Sequence, residues 1–341
     1  MSDGGPTIDF DETPPWGTDK QGRSDEEMAL KRAASTAKIP IGLALGSGGA
    51  RGWAHIGVIQ ALERHGIVPD IIAGTSAGAL VGGIYTAGAL HTLEEFARSL
   101  NRRRMLRYVD FMFGGSGLVG GKKLTNLLDA NLGDTQIEDM NRRFVAVTAE
   151  LATGHEIWLR TGRLVDAMRA SYAIPGVFSP QKIGGRWLID GGLVNPVPVS
   201  VCRAFGARLV ISVNLNADVF GLGTLEMGET FDDTNFDSTN IAPRHVVQIE
   251  KKPDRRFIRQ LFGSGDSSPG VGTVLLAGFN IMQDRLARSR LAGDPADITI
   301  APRVAHISMV DFDRAQESIE LGMQAVDPAI SYIDEALKVL S

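Results

Sequence analysis

The chain has 341 residues, of which 43% are hydrophobic and 22% are charged, so it has the length and composition of a globular protein with a sizeable core. These values exclude collagen-like, fibrous and fully disordered chains. The formal net charge of -5 gives no general attraction to nucleic acid, and we expect no nucleic-acid partner. A single cysteine, Cys202, allows no internal disulfide and no cysteine-based metal cluster, which favours the cytoplasm.

Two parts of the chain have the position or the length of targeting segments. Residues 1–37 combine prolines with mixed charge and lack a sustained hydrophobic period, so they are predicted to form a disordered tail and not a secretory signal. The uncharged stretch from Ile71 to Leu90 is long enough to span a membrane. It contains five glycines and has no basic flank, so we do not expect it to be a membrane span.

The folded domain is predicted to cover residues 38–341 and to begin with two strand–turn–helix units. The first unit has a strand over Ile39–Leu45, a glycine cluster and a helix over Trp53–His65. The second has a strand over Ile71–Ala73, a tight turn over Gly74–Gly78 and a helix over Ala79–Ala89. Two such units in succession predict a parallel sheet.

Further strands and helices alternate along the rest of the chain. Strands are predicted over 143–150, 155–159, 186–189, 208–214 and 297–301, and helices over 123–130, 163–172, 199–205, 273–291 and 328–340. This alternation indicates an α/β fold with a mainly parallel central sheet. Residues 216–270 are irregular, first acidic and then basic with serine and glycine, so we interpret them as a mobile insertion.

One local motif predicts a nucleophile. Residues 74–78 read Gly-Thr-Ser-Ala-Gly, a G-x-S-x-G sequence between a predicted strand and a predicted helix, which is the context that this motif requires. Small flanking residues allow a sharp turn that exposes the Ser76 hydroxyl, and the following helix directs its N–H groups toward the reacting centre. The alternative interpretation is a turn in which Ser76 only caps the helix.

The glycine cluster Gly46–Gly52 ends the first predicted strand and presents several backbone N–H groups at one place. Such a loop can form an oxyanion hole or bind a phosphate. A dinucleotide-binding loop is the competing interpretation. Against it, the spacing is G-x-G-x-x-x-G, and Asp70 precedes the second strand, whereas the acidic residue of that motif ends it.

A nucleophilic serine needs a base, and the sequence offers two kinds. Residues 188–192 read Leu-Ile-Asp-Gly-Gly and place Asp190 at the end of an apolar strand. An aspartate, whose pKa is ordinarily about 3.9, needs direct contact with the serine and partial desolvation to act as a base at neutral pH. His245 and His306 follow Asp190, and either would complete the Ser, Asp, His order of a histidine triad.

The three motifs at 46–52, 74–78 and 190–192, in this order, resemble the patatin-like phospholipase family. The similarity is greatest to bacterial members that are similar to the esterase domain of neuropathy target esterase. It covers Ile39–Leu215, including residues 170–178 and 195–199, and extends more loosely to 311–315.

The resemblance implies a three-layer α/β/α sandwich and a Ser–Asp dyad that hydrolyses acyl esters of glycerophospholipids without a histidine, a metal or another cofactor. Ser76 is then the nucleophile and Asp190 the base. The implied oxyanion hole consists of N–H groups around Gly48, Gly49, Ala50 and Arg51. The glycines that support the motifs are Gly74, Gly78, Gly191 and Gly192. Ser47 departs from the family pattern, because many members have a further glycine there.

Two other functions remain open at this point. A general carboxylesterase or thioesterase would use the same dyad, and a non-catalytic module could hold a nucleotide or a lipid in its glycine loops. A lipid hydrolase must also contact aggregated substrate. Arg255, Arg256 and Arg259 alternate with apolar residues, so we expect peripheral contact of a cytoplasmic protein with anionic membrane lipid. A similar mixture over 98–113 is interpreted as a solvated helix face.

Overall fold

The computed structural model describes residues 39–100, 117–119, 122–217 and 271–341. The predicted tail over 1–37 and nearly all of the predicted insertion over 216–270 lie outside these ranges. Both therefore stay predictions.

A central eight-stranded sheet organises the described part of the chain. The strands are β1 (Ile41–Leu45), β2 (Ile71–Thr75), β3 (Gly117–Val119), β4 (Arg143–Glu150), β5 (Glu156–Leu159), β6 (Gly176–Phe178), β7 (Gln181–Ile183), β8 (Arg186–Asp190), β9 (Leu209–Val213) and β10 (Ile298–Ile300). The order is β10-β9-β1-β2-β4-β8-β7, with β5 also paired to β4, while β3 and β6 form a separate pair. Every residue of β1 and β2 is buried, as expected of strands covered on both faces.

The strand direction is uniform from β10 to β4, reverses between β4 and β8 and reverses again between β8 and β7. From β10 to β4 all neighbours are parallel, as predicted from the two strand–turn–helix units. The β8 strand, which ends in Asp190, runs antiparallel to β4, and β5 and β7 are also antiparallel to their neighbours. The sheet is therefore mainly parallel with an antiparallel edge.

The helices are α1 (Ala54–Arg64), α2 (Ala77–Thr86), α3 (Leu90–Ser99), α4 (Lys122–Leu132), α5 (Leu164–Ser171), α6 (Val199–Ala204), α7 (Val271–Gly293), α8 (Ala315–Gln324) and α9 (Asp327–Leu340). The sequence did not predict α3 or α8. The buried face of α8 explains its omission, because it includes Ser318 and Gly322 and so lacks a clear apolar period.

Alternate side chains of the central strands point to opposite faces of the sheet. One set packs with α6 and with Ala287 of α7, and it consists of Ala44, Ala73, Val145 and Val147. The other set lies around Gly82 of α2, and it consists of Leu45, Ile72 and Phe144. The sheet thus lies between two helical layers, which confirms the predicted three-layer α/β/α arrangement.

Residues 71–90 do not form one continuous helix, in agreement with the expectation that they are not a membrane span. These residues form β2, α2 and the start of α3, and most of them are buried in the core. Among the described residues, no helix combines the length and the hydropathy needed to cross a membrane.

Helices α1 and α8 pack together at backbone distance. A Cβ atom on Gly57 of α1 would lie 1.9 Å from the carbonyl oxygen of Ile319. A Cβ atom on Gly322 of α8 would lie 2.0 Å from the carbonyl oxygen of Ala54. A larger residue at either position must push the helices apart.

We expect Gly322→Ala to lower the free energy of unfolding by about 2 kcal/mol, because overpacking a tight contact costs roughly 1–3 kcal/mol. Gly278→Ala on α7 is the matched control, since no heavy atom lies within 4 Å of the added Cβ. It should raise the free energy of unfolding by about 0.5–1 kcal/mol through helix propensity alone. Urea unfolding measures both effects, and a stabilising Gly322→Ala would contradict the close contact.

Candidate active site

The register of the sheet brings the two predicted catalytic residues to the same level. Ser76 directly follows Thr75, which pairs with Val147 of β4. Asp190 pairs with Thr148 on the other side of β4. Because β8 is antiparallel to β4, its C-terminal residue lies beside the point where β2 ends, and the two side chains can meet across β4.

Ser76 has an unusual backbone conformation. Its φ of 56° and ψ of -117° are rarely adopted by L residues, and it is the only non-glycine residue with positive φ in the described ranges. Two hydrogen bonds connect this turn to other elements. The Ser76 N–H donates to Ser171 Oγ at 2.9 Å, and the Ser171 hydroxyl donates to the Val147 carbonyl oxygen at 2.6 Å. No pattern in the sequence predicts this role of Ser171.

Close backbone contacts account for the two glycines of the G-x-S-x-G sequence. A Cβ atom on Gly78 would lie 2.1 Å from the Leu45 carbonyl oxygen, and one on Gly74 would lie 2.5 Å from Ala79 Cα. The helix that follows Ser76 therefore starts in contact with β1 and with the end of β2. This contact fixes the position of the serine between the strand and the helix.

Ser76 and Asp190 form a direct hydrogen bond. The Ser76 hydroxyl donates to Asp190 Oδ2 at 2.6 Å, and the Gly192 N–H donates to Asp190 Oδ1 at 2.7 Å. Ser76 is 3% exposed and Asp190 is fully buried. The carboxylate is thus held in place at both oxygens and removed from solvent.

The environment of Asp190 makes it a stronger base than an aspartate in water. Burial raises its pKa from 3.8 to about 7, against the opposing effect of the hydrogen bonds from Ser76 and the Gly192 N–H. A general base is most effective when its pKa lies close to the working pH. The desolvation that an aspartate needs to act as a base is therefore present at Asp190.

The glycine cluster uses only some of its N–H groups within the protein. The Ala50 N–H donates to the Met309 carbonyl oxygen at 2.9 Å, and the Arg51 N–H donates to the Gly48 carbonyl oxygen at 3.3 Å. Among the described residues, no acceptor is bonded to the N–H of Gly48 or of Gly49. The φ of Gly49 is +58°, which favours glycine there.

Two buried polar side chains contact carbonyl oxygens of this loop. His55 is fully buried, its Nε2 lies 2.7 Å from the Gly46 carbonyl oxygen, and burial lowers its pKa to about 4. It is therefore neutral near pH 7 and donates from Nε2 to that carbonyl. The buried Arg51 donates to the Gly48 carbonyl oxygen at 3.3 Å and to Asn280 Oδ1 at 2.7 Å. The sequence alone does not predict this role of His55, because its acceptor lies 9 residues away and no motif links the two positions.

The histidine-triad alternative gains no support from the described residues. His306 Nε2 lies 2.8 Å from Glu317 Oε1 on α8, and Asp190 occupies the hydrogen-bonding position at Ser76. No histidine in the described ranges is bonded to Ser76 or Asp190, and His245 lies outside those ranges.

The site lies within the part of the chain that resembles known proteins. Residues 43–203 match the family described as patatin-like phospholipase. An uncharacterized NTE family protein of Mycobacterium tuberculosis is 32% identical over 343 residues, covering 89% of this chain and 94% of the relative. A second such protein of that species is 30% identical over 295 residues, covering 85% of this chain and 46% of the relative. The lysophospholipase NTE1 of Scheffersomyces stipitis is 32% identical over 192 residues, which cover 55% of this chain and 12% of that protein.

Proposed function

The chain belongs to the patatin-like phospholipase family, among its NTE family proteins, and on this basis we propose that it is a serine acyl hydrolase acting through an acyl-Ser76 intermediate. Membership of this family supports hydrolysis of lipid esters. The observation that carries the proposed mechanism is the 2.6 Å hydrogen bond between Ser76 Oγ and the buried Asp190 carboxylate.

In the first half of the reaction Asp190 takes the proton of the Ser76 hydroxyl. The serine oxygen attacks the carbonyl carbon of the ester, and the protonated Asp190 then gives its proton to the departing alcohol. A pKa of about 7 suits both steps, because the group can accept and release a proton near neutral pH.

The negative charge that develops on the ester oxygen needs N–H donors that the protein leaves free. Of the four residues expected at the oxyanion hole, Ala50 and Arg51 already donate their N–H groups to carbonyl oxygens. This favours the N–H groups of Gly48 and Gly49 as the donors. Since only backbone groups are used, the serine at position 47 need not disturb the hole.

In the second half of the reaction Asp190 activates water. It takes one proton from the water, the resulting hydroxide attacks the acyl carbon, and the bond to Ser76 breaks with return of the proton to the serine oxygen. The free fatty acid leaves, and the Ser76–Asp190 hydrogen bond forms again.

The proposed substrates are glycerophospholipids or lysophospholipids. This choice rests on the family and on the relative that is named a lysophospholipase. Carboxylesterase and thioesterase activity with the same dyad are the competing possibilities. Arg255, Arg256 and Arg259 lie outside the described residues, so their contact with a membrane stays a prediction.

Labelling with a fluorescent fluorophosphonate, followed by peptide mass spectrometry, tests this function. We expect one label per chain on Ser76, and none on Ser47 or Ser171. These two serines serve as internal controls, because neither hydroxyl is bonded to a carboxylate in the described ranges: Ser171 donates to the Val147 carbonyl oxygen and Ser47 has no partner there. A folded protein that takes no label would favour the binding module. Turnover is then compared among a phospholipid, a lysophospholipid, a p-nitrophenyl ester and an acyl thioester. A protein that takes the label but hydrolyses only the p-nitrophenyl ester and the thioester would favour carboxylesterase or thioesterase activity.

A further inference from the structure

One buried side chain beside the dyad lacks a hydrogen-bonding partner in the part of the chain that the structure describes. Gln283 on α7 is 0% exposed, and neither its Nε2 nor its Oε1 atom is bonded to a described residue. Phe279 and Ala287, one turn away on either side, are buried on the same face of the helix. The other polar residue described on this buried face, Asp284, is bonded to Arg288, so Gln283 is the polar residue there that lacks a partner among the described residues.

Leaving this amide unsatisfied is energetically unfavourable. A buried polar group without a partner costs about 1–3 kcal/mol, and Gln283 has two such atoms. Buried unsatisfied groups are few in native proteins and call for a specific explanation. A group that binds a molecule during the reaction would provide one.

The position of Gln283 places it against the base. A Cβ atom on Gly192 would lie 2.0 Å from Gln283 Nε2 and 2.9 Å from Asp190 Oδ1, so the amide and the carboxylate are neighbours over this glycine. Only glycine at position 192 allows this approach. One turn earlier on the same helix, Asn280 accepts a hydrogen bond from Arg51 of the glycine cluster.

We propose that Gln283 positions the water molecule that Asp190 activates in the second half of the reaction. This inference rests on the proposed function. Asp190 Oδ2 accepts one proton of the water, and the Gln283 amide forms a second hydrogen bond with the water, which directs the water oxygen toward the acyl carbon. The new C–O bond forms as the bond to Ser76 Oγ breaks, and the proton held by Asp190 passes to Ser76.

The test replaces Gln283 by methionine, which has a similar length and no hydrogen-bonding amide. With a p-nitrophenyl ester, we expect a full burst of p-nitrophenolate followed by turnover that is roughly 100-fold slower, because the attacking water is no longer oriented. Since only the second step slows, kcat and KM should fall together while kcat/KM stays within about threefold. Intact-protein mass spectrometry should show the acyl-enzyme accumulating.

A merely structural role for Gln283 predicts different results. Loss of a packing contact would lower stability and kcat/KM, whereas removal of two unsatisfied atoms should leave the free energy of unfolding unchanged or higher. Asp284→Asn is the matched control on the same helix, because Asp284 is buried and is bonded to Arg288. Asp284→Asn should lower the free energy of unfolding and leave unchanged the ratio of the rate of acyl-enzyme formation to the rate of its hydrolysis.

Each outcome separates the inference from the proposed function. A burst with an unchanged second step in Gln283→Met would overturn the role of Gln283 and leave the acyl-enzyme mechanism standing. A folded wild-type protein without a burst or a fluorophosphonate label would overturn both. If Gln283→Met does not fold, Gln283→Leu is measured in the same way, and failure of both variants to fold would show a structural role and overturn the inference.

Discussion

Replacement of Ser76 by either glycine or alanine is expected to abolish acyl hydrolysis, and the glycine variant should be the more stable of the two. Loss of a nucleophile that acts with a base costs at least about 10,000-fold in kcat. The stability difference has another cause. Ser76 has a φ of 56° and a ψ of -117°, a conformation that costs a residue with a Cβ atom about 1–3 kcal/mol and costs glycine little.

The stability comparison uses urea unfolding, and the hydrolysis comparison uses the same ester as for the wild type. The matched control is the exposed residue Ser331 in α9. Because Ser331 lies in a helix, the free energy of unfolding of Ser331→Gly should be about 1 kcal/mol lower than that of Ser331→Ala. The two positions should therefore give opposite signs. If Ser76→Gly unfolds at a lower free energy than Ser76→Ala, the turn at position 76 is not strained in solution.

The parts of the site that lie close together in the sequence could be predicted from it. The strand, the turn and the helix around Ser76 follow one another directly, so their apolar pattern and glycines define the motif without knowledge of the fold. Asp190 could be recognised for the same reason, as an acid between an apolar strand and two glycines. Its distance of 2.6 Å from Ser76 Oγ could not, because it depends on the pairing of β8 with β4 and on the antiparallel direction of β8.

Residues whose role depends on packing between distant segments were missed. Gln283 follows the dyad by 93 positions or more, and in the sequence it is only a polar residue in a helical pattern. Met309 occupies the Ala50 N–H of the glycine cluster through its backbone carbonyl oxygen and not through its side chain. Patterns of side-chain type carry no information about such a contact.

Replacement of Asp190 by asparagine is expected to abolish hydrolysis and to stabilise the protein at pH 8. Without a carboxylate, the Ser76 proton has no acceptor of suitable basicity, and kcat should fall by at least about 10,000-fold. In the wild type, kcat/KM should rise with pH up to about 7, the pKa of Asp190, because the base must be ionised to act. Asparagine removes this pH dependence together with the activity.

The stabilising effect follows from the direction of the pKa shift. Folding raises the pKa of Asp190 from 3.8 to about 7, so between these values the folded protein holds a proton that the unfolded chain has released. The stability of the wild type therefore falls as the pH rises through this interval, and above it the full cost of the buried charge is present. With 1.36 kcal/mol for each pKa unit, that cost is on the order of 4 kcal/mol.

Asparagine carries no charge, so the difference in unfolding free energy between Asp190→Asn and the wild type should be near zero at pH 4 and largest at pH 8. His55, whose pKa is lowered to about 4, destabilises both proteins equally as the pH falls, and its contribution cancels in the difference. Urea unfolding of the two proteins across this range measures the difference directly. A difference that does not change with pH would show that Asp190 is ionised at little cost, and its function as a base of raised pKa would then have to be abandoned.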